Sequence, residues 1–251
     1  IHVVKPIING VITDFNLTEA LLSHFYNEVN PGMSLLQPKV VICVPGGITD
    51  IESRAIIDAA LHAGSRDIIL VDESLAAAFG MGLTPEDPKG LLLINLGAGT
   101  TEVAVISLNG IVTSKTLNKA GDKIDEAIIE LLKDKKKIDI GKNTAENINN
   151  NLLSLKFKDA EKTMNIDGRD LLSAAPKTVN ISSKDLVDCK LPFADEVVSM
   201  IYEVLEKVPP ELTADIKRDG FALTGAFSKA SGLRAVSYTH LRAHETRHDL
   251  V

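Results

Sequence analysis

Apolar residues in this chain fall into short runs separated by amphipathic stretches. Lys39–Val44 (KVVICV) and Asp67–Val71 (DIILV) are of strand length, rich in β-branched residues and bounded by Pro, Gly or polar neighbours. Between them, Thr49-Asp50-Ile51-Glu52 has the spacing of a capping box. There a hydroxyl and a carboxylate each satisfy a free N–H at a helix start, and Gly64 marks the helix end. An extended segment, Gly10–Phe15, and a helix with apolar Ala20, Leu21, Phe25 and Val29 precede this unit. A short Ala-rich helix, Glu73–Met81, follows it. The alternation predicts parallel strands with crossover helices.

The pattern then changes. Leu91–Ile94 reads as a buried strand, Val103–Leu108 as a second and Ile111–Thr116 as a third, with Asn109-Gly110 as a two-residue turn. The first turn of this meander is Gly97-Ala98-Gly99-Thr100-Thr101, a small-residue loop with two hydroxyls. Glycine lets backbone approach an anion closely, and bare N–H groups with Thr hydroxyls can cradle a phosphate. The spacing matches neither the Walker A loop nor the Rossmann fingerprint. A phosphate loop inside a β-hairpin points to an α/β protein of the actin-like ATPase fold.

Beyond the meander, Ile124, Ala127, Ile128, Leu131 and Leu132 form one helical stripe, and Lys133–Lys137 reads as its solvated end. Thr144–Leu155 predicts a more polar helix. Thr163–Ile166 and Thr178–Ile181 predict strands of a small lobe. Residues 185–207 predict a helix with a break at Pro192, Pro209-Pro210 starts another, and Gly220–Thr224 is a strand running into Gly225.

Composition adds limits. The chain has 251 residues, 45% of them hydrophobic and 24% charged, ordinary values for a globular protein with room for two domains. A net charge of −7 argues against nucleic acid as a partner. Two distant cysteines, Cys43 and Cys189, suit a reducing compartment better than a disulfide framework or a zinc site. No apolar run reaches the length of a membrane span. The start at Ile1, without Met, reads as a fragment that begins inside a domain. The last stretch, Val236–Val251, resembles a translated sequencing adapter. Its His240, His244 and His248 therefore receive no functional weight, although their spacing could imitate a metal site.

Several segments together resemble the MreB/Mbl family of bacterial actin homologues. They are NGVITDFNLTEALLSHF (9–25), PKVVICVPGGIT (38–49), VDESLAAAFGMGL (71–83), GTTEVAVISLNGIVTS (99–114), AGDKIDEAI (120–128) and VPPELTADIKRDGFALTG (208–225). The resemblance implies the actin and Hsp70 type of fold: two ribonuclease-H-like domains around a nucleotide cleft, with the N-terminal part of the first domain missing. It implies part of a first domain at 1–83. A second domain would occupy 84–122 and 187–234, with a small lobe at 123–186 and a non-native tail at 235–251.

The family's site residues carry over one at a time. Gly97, Gly99, Thr100 and Thr101 match its second phosphate loop. Thr100 matches a residue implicated in hydrolysis, and Glu73 one that positions the attacking water. By itself Glu73 reads as an acidic residue favoured at a helix start. Gly121 and Asp122 match the turn that reaches the nucleotide from the second domain, Glu146 the ribose and adenine region, and Gly225 the adenosine loop. The implied cofactors are ATP and Mg²⁺, with no direct protein ligand to the metal. Met33, Leu35 and Leu36, between Pro31-Gly32 and Pro38, match a short apolar loop that inserts into membrane.

Departures accompany these matches. Asn95 stands where the family has an Asp that helps hold Mg²⁺ through water, and a neutral amide lacks the charge a hard cation favours. Ala98 replaces a loop glycine, and Ser74 a Pro. Asn149 and Asn151 replace a Lys and a Glu, and Ala226 and Phe227 replace adenosine-loop glycines. Two readings follow. One is an ATP-binding cytoskeletal filament protein, cytoplasmic and peripheral at the inner face of the cell membrane, working with the cell-wall elongation machinery. The other is a degenerate paralogue, a scaffold or co-polymer with little or no hydrolysis.

Overall fold

Among the described residues four sheets carry the strands, and each is placed by where its apolar residues fall. The computed structural model describes residues 4–29, 37–152 and 161–229. Ile7–Ile8 (β1) and Val11–Ile12 (β2) form a small antiparallel hairpin. Asn9 and Gly10 make its turn at φ 52° and 78°, the left-handed region that this dipeptide tolerates. The expected extended segment therefore folds back on itself. Phe15–Val29 (α1) follows.

Lys39–Val44 (β3) and Asp67–Asp72 (β4) pair in parallel, with Lys39 beside Asp67 and Val44 beside Asp72. The crossover is Asp50–His62 (α2). Its capping box forms as expected: Glu52 N–H donates to Thr49 Oγ1 at 3.2 Å, and Thr49 N–H donates to Glu52 Oε2 at 2.7 Å. Glu73–Gly80 (α3) leaves the end of β4 directly.

Leu91–Leu96 (β5), Thr101–Ser107 (β6) and Gly110–Leu117 (β7) form the meander. Its second turn differs from expectation. The positive φ values fall at Leu108 and Asn109, 51° and 59°, because Ser107 pairs with Gly110 and leaves those two as the loop. A bulge between Val105 and Ile106 shifts the register by one residue near this tip.

Gly121–Lys136 (α4) ends at Lys137 in the left-handed conformation, φ 53°. Ile138–Asp139 (β8), Thr163–Asp170 (β9) and Pro176–Ser182 (β10) make a three-stranded antiparallel sheet, with Lys142–Leu152 (α5) packed beside α4. Val187–Leu205 (α6) runs through Pro192 without the expected break. Pro192 sits in the second turn, so the helix loses one bond near its start and none in its long middle. Pro210–Asp219 (α7) begins with Pro at its first position, and Phe221–Thr224 (β11) joins β5 in parallel.

The four-stranded sheet, ordered β11-β5-β6-β7, has two buried faces with different partners. Leu92, Ile94, Leu96, Val103 and Val105 pack with Ile124 and Ile128 of α4 and Val197, Ile201 and Val204 of α6. Their core continues into the three-stranded sheet and α5 through Ile138, Ile148, Ile166 and Ile181. On the other face Leu93, Ala104 and Ile106 pack with Ala78, Leu75 and Ala77 of α3. At roughly 1.5–3 kcal/mol for each large side chain fully buried, the first face is the main source of stability. Met33, Leu35 and Leu36, and the tail from Val236, lie outside the described residues.

Candidate functional site

The loop 97–100 is closed on itself by Gly97 N–H donating to Thr100 C=O at 2.9 Å. The start of α4 is tied to the loop: Asp122 N–H donates to Ala98 C=O at 2.8 Å, and Gly121 N–H to Gly97 C=O at 3.5 Å. Thr101 Oγ1 donates to Lys119 C=O at 2.8 Å, anchoring the strand before α4. Among the described residues, the N–H groups of Ala98, Gly99 and Thr100 have no hydrogen-bond partner. Three consecutive bare donors in a small-residue loop can receive an oxyanion.

Two neighbours complete this surface. Gly225, at φ +93°, crosses Leu96 so closely that a Cβ there would lie 2.2 Å from the Leu96 carbonyl oxygen, so only glycine fits. The Asn9-Gly10 hairpin tip abuts the loop from the other side, where a Cβ on Gly99 would meet Asn9 Oδ1 at 2.8 Å. Lys5 Nζ also reaches Asp122 Oδ2 at 3.1 Å, an exposed pair that adds little stability but marks proximity.

Strand register builds the rest. Asn95 on β5 lies opposite Glu102 on β6, Glu102 opposite Thr116 on β7, and Asn95 beside Thr224 on β11. Directly opposed residues share a face, so these four side chains form one polar row across the sheet. The row lies on the face covered by α3, just beyond the apolar rows of Leu91 with Ile106 and Leu93 with Ala104. Glu102 is 2% exposed, and neither carboxylate oxygen is in a well-formed hydrogen bond. Burial pushes it up to about 7. The Ser74 hydroxyl and the Gly46 N–H partly offset this without well-formed hydrogen bonds, while the Glu73 and Asp72 carboxylates add to the rise. Ser74 is itself fully buried. The structure thus places Glu73 beside Glu102, at the pole of α3.

A second cluster lies on α4 and α5. Asn149 is 4% exposed, donates through Nδ2 to Asp125 Oδ1 at 2.7 Å, and leaves Oδ1 unpartnered. Asp125 is raised by burial, with Glu146 and Asp122 pushing the same way. Glu146 is exposed on α5 near this carboxylate. Phe227 is buried and meets Phe193 edge-on at 5.6 Å, against Gly121. Its bulk therefore lies in the core beneath the turn, and this departure fills the interior.

Of the residues singled out in the sequence, Gly97, Gly99, Thr100, Thr101, Gly121, Asp122 and Gly225 converge on the loop, with Asn95 at its foot. Glu73 joins through Glu102, and Glu146 through Asp125. Sequence reading missed Glu102, Asp125 and Asn9. The signal for Glu102 was present as an acidic residue interrupting the otherwise apolar inward alternation of its strand. No group of three or more metal-ligating side chains occurs among the described residues, so a cation here would need phosphate oxygens or water.

An anion-receptive loop between antiparallel strands, tied to a helix start and crossed by a glycine, defines an actin-like nucleotide-binding fold. Solved structures agree. The chain is similar to MreB5 of Spiroplasma citri bound to AMPPNP, with TM-score 0.85 and 33% identity, covering 91% of this chain and 69% of that one. It is also similar in fold to a MamK double helical filament, with TM-score 0.78 and 19% identity, covering 95% and 72%.

The chain belongs to the MreB/Mbl family, whose profile, described as MreB/Mbl protein, matches residues 1–246. That match runs past Val236, into the stretch that resembles an adapter. The cell shape-determining protein MreB of Escherichia coli K12 is 38% identical over 226 residues, 90% of this chain and 65% of that protein. Mbl of Bacillus subtilis is 38% identical over 231 residues, covering 92% and 69%. The chain thus spans just under two thirds of the E. coli relative.

Proposed function

We propose that this chain is a cytoskeletal protein that binds ATP with Mg²⁺ and polymerises into membrane-associated filaments governing cell shape and wall synthesis. The observation that carries the reading is the run of bare N–H groups at Ala98–Thr100, held by α4 on one side and by Gly225 on the other. Family membership and a relative solved with AMPPNP support it. Bound ATP with Mg²⁺ would supply the phosphoryl group and its charge neutralisation. The loop N–H groups and the Thr100 hydroxyl orient the phosphates. Glu73, at the start of α3, orients the water, and Gly121 with Asp122 brings in the second domain. Asp125 and Glu146 present acceptors suited to ribose hydroxyls.

Sedimentation tests this reading. The chain should pellet with ATP and Mg²⁺ and stay in the supernatant without nucleotide. A chain that remains soluble in both conditions would refute it. Membrane attachment through Met33, Leu35 and Leu36 is part of the same proposal. Each apolar side chain would add roughly 1.5–3 kcal/mol if fully buried, multiplied along a polymer. Replacing Leu35 and Leu36 by Ser should release polymers from liposomes in co-sedimentation.

A second reading, a scaffold with little hydrolysis, is favoured by one observation. Asn149 turns its amide to Asp125 at a position where the family resemblance implies a Lys, so this side chain brings no positive charge toward a nucleotide. Such a scaffold should pellet without regard to nucleotide.

A further inference from the structure

The polar row of the four-stranded sheet carries one charged side chain, Glu102. Its placement follows from the strand pattern. Along β6 the even-numbered residues face α3, and Ile106 and Ala104 are apolar contacts to that helix. One step further along the same column, past the apolar flank of α3, stands Glu102 beside the first turn of the helix. The end of β3 closes the site from above. A Cβ on Gly46 would lie 2.2 Å from Glu102 Oε1, and Thr116 Oγ1 donates to Gly46 C=O at 2.8 Å. The carboxyl is therefore held in a built slot, with the Gly46 N–H and the Ser74 hydroxyl near it but neither oxygen in a well-formed hydrogen bond.

A buried carboxyl whose donors are poorly aligned either keeps its proton or is completed, when ionised, by a group that the nucleotide brings. Thr116 gives its hydroxyl hydrogen to Gly46, and among the described residues no lysine or arginine is hydrogen-bonded or ion-paired to Glu102. When ionised, such a carboxylate is suited to a cation or to a water bound to one. The slot lies two residues along β6 from Thr100 of the phosphate loop, and Asn95 faces Glu102 across the ladder. A hydrated Mg²⁺ is bound through one or two carboxylates plus phosphate oxygens and water, which suits a site with no cluster of protein ligands.

We propose that Glu102 supplies the negative charge that holds the hydrated divalent cation of the bound nucleotide, a task that the neutral Asn95 opposite it cannot perform. The inference rests on the nucleotide reading above. Glu102 lies in a stretch that carries the family resemblance, and with Asn95 neutral it is the one carboxylate left in this row. Asn95 remains as an amide that can accept from or donate to the same water shell.

The test measures AMPPNP binding to the full chain by calorimetry, in Mg²⁺ and in EDTA. The unsubstituted chain should bind more tightly in Mg²⁺. Glu102→Gln should lose about 10- to 100-fold of that gain while its affinity in EDTA stays within about twofold, the size expected for a residue acting through a metal's outer shell. Gln keeps the shape and removes a buried charge, so the variant should melt no lower than the parent. Adding Asn95→Asp to Glu102→Gln should restore the Mg²⁺ gain, which no loss of packing would explain, and Asn95→Asp alone should increase it. A Glu102→Gln chain that keeps the whole Mg²⁺ gain overturns the assignment of Glu102 while leaving nucleotide binding intact. No AMPPNP binding by the parent in either buffer overturns the nucleotide reading, and this inference with it.

Discussion

The two sheets that flank the candidate site are finished to different degrees. The four-stranded sheet has helices on both faces, and its residues Leu92, Leu93, Ile94, Leu96, Val103, Ala104, Val105 and Ile106 are all fully buried. The parallel pair β3–β4 is covered on one face. On the other, Val41 is 62% exposed, Ile69 56%, and Cys43 is exposed too. Parallel strands are ordinarily covered on both sides, and their apolar runs reflect that. The comparison separates two kinds of apolar residue that read alike in sequence: those whose burial stabilises this chain, and those whose partners are not among the described residues. It also locates the site, since the loop and the polar row belong to the finished sheet while Gly46 and the start of α3 belong to the pair.

The largest expected effect tests the finished sheet. Ile94→Ala should destabilise the chain by about 2–5 kcal/mol in denaturant unfolding, the range for emptying a closed core site. Next comes the seam between the two sheets. Glu102 is raised to about 7 from an ordinary 4.5, so the folded protein holds its proton where the unfolded chain releases it. The resulting stability is full below pH 4.5 and is lost as pH rises through about 7, amounting to about 3 kcal/mol. Thermal melts of the nucleotide-free, metal-free chain at pH 5 and pH 8 should show this loss, and Glu102→Gln should flatten it.

A smaller effect is expected at Ser74, whose buried hydroxyl makes no well-formed hydrogen bond. Ser74→Ala should stabilise by about 1 kcal/mol, read as a higher melting temperature. The smallest tests the open face. Val41→Thr and Ile69→Thr should each shift stability by less than about 0.5 kcal/mol, since both side chains are already in water. A large loss at either would mean that something covers that face, and the comparison would fail.

Much of this was legible before any coordinates. The capping box at Thr49 and Glu52, β3 to the residue, the α4 stripe and the loop at Gly97 depend on local pattern, and local pattern survives folding. What was not legible depends on pairing between distant segments. Glu102 becomes a site residue only when register sets it opposite Asn95 and packing sets it under Gly46, 56 residues earlier in the chain by number. In sequence Phe227 reads only as a replacement for an adenosine-loop glycine, and the packing of α6 shows it turned inward onto Phe193. The turn at Leu108-Asn109 moved by one residue because the bulge upstream took up the offset.

That bulge has a consequence for how this molecule tolerates change over generations. Strand side chains alternate, so an insertion at the hairpin tip that slid β7 past β6 by one residue would turn its outward side chains inward. Thr116 would then leave Gly46, and the roof over Glu102 would go with it. The register shift lies between the tip and the polar row, and the pairing from Val105 to Thr101 runs unbroken behind it. An inherited gain or loss at residues 107–112 can be absorbed there, leaving the inner half of the hairpin in phase. Lineages of this chain can therefore vary the outer end of the hairpin while the five pairs that carry the site keep their alignment.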